Sequence, residues 1–106
     1  MRFVIKMEAT NLLLSRWARE YFGFPAESSV SMGCFATRSV NANDQNDAVS
    51  AVIYSVRREL SESSVVSPLM NSPDNPLKIR IVSVRTVLSG DTDNAPNAGF
   101  TFYPED

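Results

Sequence analysis

The chain has 106 residues, of which 43% are hydrophobic and 21% charged, with ten basic against twelve acidic side chains, no histidine and one cysteine. At this length one domain is expected, able to withdraw roughly 60% or more of its extended-chain surface from water, and the lack of histidine removes the commonest general base and most zinc ligand sets. A net charge of −2 gives little general attraction to phosphate or anionic lipid, one cysteine closes no intramolecular disulfide, and no run approaches the roughly 18 apolar residues of a membrane span.

Arg2 to Glu8 alternates, with Phe3, Ile5 and Met7 on one side and Arg2, Val4, Lys6 and Glu8 on the other, the period of a half-buried strand. Thr10 and Asn11 are good N-cap types. Leu13, Leu14, Trp17, Ala18, Tyr21 and Phe22 follow at spacings of three and four, and Gly23-Phe24-Pro25 is a stop signal, which predicts a short helix within 11–24. A hairpin arm through the same residues would bury the same side chains. After a polar link, Val30 to Asn41 alternates as a second strand, with Val30, Met32, Cys34 and Ala36 on one face, Phe35 interrupting the other, and Gly33 as a candidate bulge.

Asp44 can cap a helix over 44–60, Asp47 sits in its first turn, and Ala48, Val49, Val52, Ile53, Val56 and Leu60 build an apolar stripe, with Arg57 and Arg58 expected in the last turn. Residues 61–76 form a long Ser-, Pro- and Asn-rich loop that carries Val65, Val66, Leu69 and Met70. Leu77 to Leu88 reads as a third strand whose phase shifts at Ile81-Val82, the mark of a bulge or of a strand covered on both faces. A turn-rich loop at 89–99 leads to a short terminal strand over Phe100 to Tyr103. The expected fold is α+β: a single small domain, 1–106, with a mainly antiparallel sheet of about four strands packed on one long helix and a second short one.

No catalytic constellation is legible. Cys34 lies on an apolar strand face without a histidine to activate it. Asp91, Asp93 and Asn94 open like a calcium loop, but Ala95, Pro96 and Phe102 stand where further ligands are needed. The four isolated glycines build no phosphate-cradling loop, and the serines lack a base. No enzyme activity, cofactor or metal is therefore expected. Three surfaces remain. Leu69, Met70, Phe100, Phe102 and Tyr103 place apolar and aromatic groups on a loop and a sheet edge, the composition of a protein-docking surface. Arg57, Arg58, Lys78, Arg80 and Arg85 form a basic surface which, beside aromatic strands, could hold RNA or single-stranded DNA. Trp17, Tyr21, Arg38 and Tyr54 could line a small-ligand or enzymatic pocket between sheet and helices.

Gly33-Cys34-Phe35-Ala36-Thr37-Arg38, running through Val40-Asn41-Ala42 into the helix at 44–60, together with the terminal Gly99 to Asp106, resembles a small bacterial domain family of uncharacterised function. The strand, acidic cap and Ala-rich helix at 31–60 are more distantly similar to the HicB-type antitoxin domain, in which a different hairpin stands where residues 11–24 stand here. That resemblance implies a toxin-like protein partner and assigns no residue a role. The sequence thus points to a cytoplasmic, non-catalytic protein-interaction module, acting as a homodimer or as an inhibitor-like binder.

Overall fold

In the computed structural model the described residues are 1–23, 31–66, 76–88 and 99–104. Their elements run β1 (Arg2–Leu13), α1 (Arg16–Tyr21), β2 (Ser31–Asn41), α2 (Gln45–Glu62), β3 (Lys78–Val87) and β4 (Thr101–Pro104). The strands make one antiparallel sheet in the order β3-β1-β2-β4, so the α+β expectation holds. No helix among the described residues is long and apolar enough to cross a membrane.

The core follows from two periodicities meeting. Alternation on β1 turns Phe3, Ile5, Met7 and Ala9 to one face, and on β2 it turns Met32, Cys34 and Ala36 the same way. α2 presents Ala48, Val52, Val56 and Leu60, each four residues after the last, as a single buried stripe against that face. The Asp44 side chain caps α2 by accepting from the backbone N–H of Asp47 at 2.8 Å, with Asp47 itself in the first turn. α2 continues to Glu62, so Arg57 and Arg58 lie before its last turn, which contains no basic residue.

Three local expectations are corrected. β1 does not stop at Glu8 but runs to Leu13, because an irregularity between Ala9 and Leu12 inserts Thr10-Asn11 opposite Gly33, with Asn11 in the left-handed region at φ 64°. Asparagine tolerates that conformation. The bulge therefore belongs to β1, although Gly33 faces it. With Leu12 and Leu14 buried as strand residues, the helix shrinks to Arg16–Tyr21, starts at Ser15, and buries Ala18 alone. Leu14 pairs with Val66, and Val65 carbonyl oxygen accepts from the backbone N–H and hydroxyl of Ser15, so the Val65-Val66 part of the long loop closes the domain's own core. On β3 the phase shift is a bulge, as its adjacent apolar pair implied: Ser83 faces Lys6 and Ile81 faces Met7, leaving Val82 unmatched and 39% exposed.

Candidate functional site

α2 covers one face of the sheet. On the other face the register decides which side chains gather, because directly paired residues of antiparallel strands point the same way. Arg2, Val4, Lys6 and Glu8 of β1 share that face with Ser39, Thr37 and Phe35 of β2 and with Arg85, Ser83 and Arg80 of β3; Lys78, opposite Thr10, extends the row. Five of the chain's ten cations thus stand on one surface, where Glu8 is the single acid that the four strands contain. The Lys6 ammonium lies 5.0 Å from the centre of the Phe35 ring, a cation–π distance, and Arg2 donates to the Ser39 hydroxyl at 2.7 Å. Lys6, Phe35, Thr37, Gly99, Phe100 and Thr101 border an open depression of about 530 Å³ where β4 begins.

A polar belt crosses the same face. Tyr103, on β4, donates its hydroxyl to Glu8 on β1, two strands away, and Arg80 on β3 meets the other Glu8 oxygen at 2.9 Å. The tyrosine ring reaches that far because residue 33 has no side chain: a Cβ there would overlap the Tyr103 ring. The ring also stacks on Phe35, centroids 5.2 Å apart at 30°. The Tyr103 hydroxyl first, then Arg80, hold the Glu8 carboxyl below its ordinary range. The belt ties the four-residue β4 to the far side of the sheet.

Strand order separates residues that the sequence placed together. β3 and β4 are opposite edges, so Lys78, Arg80 and Arg85 do not adjoin Phe100 and Phe102, which pack against the core side of the sheet. Tyr103 alone of the terminal aromatics shares a face with the cations. Arg57 and Arg58 are exposed on α2, across the sheet from β3's basic row, and Arg58 pairs with Glu62 at 3.3 Å. Leu69 and Met70 lie outside the described residues.

The four residues considered for a pocket do not converge. Trp17, Tyr21 and Tyr54 are 50%, 77% and 70% exposed, and Trp17 donates its indole N–H to the Ser64 carbonyl at 2.8 Å. Arg38 is 5% exposed and fully engaged. Its Nη1 donates to the carbonyls of Thr37 and Gly99 at 3.0 and 3.1 Å, its Nε and Nη2 lie 3.2–3.4 Å from the two Glu59 carboxylate oxygens, and its guanidinium sits 5.0 Å from the Phe100 ring centre. It fastens β2, α2 and the start of β4 together. Cys34 is a core thiol that burial pushes up to about 11, far from the thiolate that nucleophilic or redox chemistry requires. Among the described residues no group of three or more Cys, Asp or Glu could hold a metal ion.

The residues of this face that sequence reasoning left out of its candidate surfaces include Arg2, Lys6, Glu8 and Phe35. Phe35 carried a usable signal, since it is an aromatic on the otherwise polar side of its strand. No family model, curated protein or solved structure matches the chain, so a functional reading rests on the site's own chemistry.

Proposed function

We propose that the chain is a cytoplasmic, non-catalytic interaction module that joins a second copy of itself by continuing its sheet along β3. The observation that carries this reading is the outer position of β3, ten residues long, with the core-side row Ile79, Ile81 and Val84 left half-buried and Val82 and Leu88 exposed at its rim. Among the described residues nothing lies beyond it. Such an edge offers a row of backbone donors and acceptors beside unfinished apolar cover. β4 makes a poorer edge: it pairs only Met32 to Phe35, its Phe102 is turned inward and its Tyr103 is held on Glu8.

Antiparallel pairing about the middle of β3 places Ile81 of one copy opposite Val84 of the other, and Arg80 opposite Arg85. The apolar pair favours contact and the like charges oppose it, the more weakly because Arg80 is paired with Glu8. Assembly should therefore tighten as salt screens the arginines. Sedimentation over a concentration series at 20 and 300 mM salt tests this. A dimer that strengthens with salt and is lost in Val84→Lys is expected; a monomer throughout, or a dimer indifferent to Val84→Lys, overturns it.

A further inference from the structure

We propose that the open face of the sheet is a binding surface for single-stranded nucleic acid, with Lys6, Lys78 and Arg85 holding phosphates and the Phe35 ring stacking a base in the depression beside Thr37 and Thr101. This uses a different surface from pairing along β3 and does not depend on it.

The first argument is charge. The four strands carry six cations and one acid; Arg38 is turned to the helix side and paired with Glu59, and Arg80 is paired with Glu8. Lys6, Lys78 and Arg85 are exposed on the open face, and none is within ion-pair distance of a carboxylate among the described residues. A chain whose total charge is −2 thus keeps a locally positive plane, which attracts a polyanion laid along it although the whole molecule does not. Lys6 on β1 and Lys78 and Arg85 on β3 spread these charges over two neighbouring strands in place of a single anion pocket.

The second argument is the ring. Phe35 stands among polar neighbours on the solvent face, half-buried, with Tyr103 stacked on it and the Lys6 ammonium 5.0 Å from its centre. The Lys6 ammonium marks a ring face that accepts a flat partner: a base stacked there would release Lys6 to a neighbouring phosphate, satisfying both groups. The depression of about 530 Å³ that Lys6 and Phe35 share is large enough for a nucleobase but opens broadly to solvent. Sequence-tolerant single-strand binding combines these two elements, a cationic track and an aromatic platform. A duplex hides its base faces, leaving the Phe35 ring unused, and polyglutamate has no ring to place on it.

The test is fluorescence anisotropy of a labelled 12-nucleotide oligo-uridine from 20 to 300 mM salt, against a duplex of the same length, heparin and polyglutamate. Three phosphate contacts predict a slope of log affinity on log salt near −2, at about −0.7 per contact. Lys6→Gln and Arg85→Gln should each reduce that slope by about 0.7, while Phe35→Leu should weaken binding at least about fivefold at unchanged slope. Thermal melts establish that each variant folds, and if Phe35→Leu does not, Lys6→Gln in the same depression carries the test. Absence of binding at 20 mM salt, equal affinity for duplex, heparin or polyglutamate, or slopes unmoved by the glutamine variants would overturn the proposal. Salt strengthens pairing along β3 and weakens nucleic-acid binding, so failure of one is read separately from failure of the other.

Discussion

Replacing Glu59, the more exposed member of its ion pair, should destabilise this protein more than replacing the buried Arg38 by methionine. The Arg38 side chain is 6% exposed and that of Glu59 38%. Removing Glu59 leaves a guanidinium in the interior with the carbonyls of Thr37 and Gly99 and the Phe100 ring as its remaining partners. Breaking a buried pair on one side costs about 3–5 kcal/mol. Water reaching the vacated Glu59 position tempers this to about 2 kcal/mol, which at roughly 4 °C per kcal/mol in a domain of this size lowers Tm by about 8 °C. Arg38→Met keeps an apolar stem of similar length against Phe100 and frees Glu59 to be hydrated. It loses the hydrogen bonds to two carbonyls, of which Gly99 is exposed and rehydrates, so the cost is about 1 kcal/mol or less. Arg38→Ala adds the lost stem and its void, about 2 kcal/mol more. Thermal unfolding of Glu59→Ala, Arg38→Met and Arg38→Ala at neutral pH gives the order. If Arg38→Met is the worse of the first two, or if both leave Tm within 1 °C of the parent, Arg38 is not the fastening that its contacts imply.

Two further outcomes follow from the titrating groups. Because Tyr103 and Arg80 lower the Glu8 pKa from 4.5, its ionised form contributes stability that is complete above pH 4.5 and is lost as pH falls through the depressed folded-state value; the Tm gap between parent and Glu8→Gln should therefore narrow between pH 5 and pH 3, and a constant gap would contradict the belt. Burial raises Cys34 from 9.0 to about 11, so the unfolded thiol ionises first and stability should decline as pH rises from 9 to 11, more in the parent than in Cys34→Ala. At pH 8 iodoacetamide should label the thiol only as fast as the domain opens, and rapid labelling of the folded protein would place Cys34 outside the core.

How much of this was legible depends on whether local pattern and tertiary position agreed. On the first half of β1, on β2 and on α2 they largely did: alternation or a four-residue stripe named the core side chains, Val4 being buried as well although it stands on the polar side of β1, and Asp44 capped as its type and position required. At residues 10–14 they conflicted. Thr10-Asn11 has the composition of a helix start, and Leu14 and Ala18 have helical spacing, yet Asn11 in a left-handed conformation lets the strand absorb a bulge and carry Leu12 back to the core. Burying Leu12 and Leu14 in the sheet outweighed a marginal two-turn helix. The site was legible in its residue types and not in its geography. Chain neighbours β3 and β4 invite the inference that their cations and aromatics adjoin, but β1 and β2 separate them, and which side chains share a face emerges only from pairing register.

Among the described residues a single helical layer lies over one face of the four-stranded sheet and none covers the other, and what that other face carries decides how the molecule meets others. Here β4 contributes just four residues to the sheet, a short ladder against the ten to twelve residues of the other strands. The Tyr103–Glu8–Arg80 belt supplies a second attachment, and in doing so it engages the one carboxylate that the four strands contain and one of their arginines. Latching β4 therefore leaves Lys6, Lys78 and Arg85 without a carboxylate within ion-pair distance among the described residues. The same residues that complete the fold create the charge imbalance on which a polyanionic ligand would act, so Glu8→Gln, which removes the charge and weakens the latch, raises the positive charge of the face while loosening the strand that borders its depression.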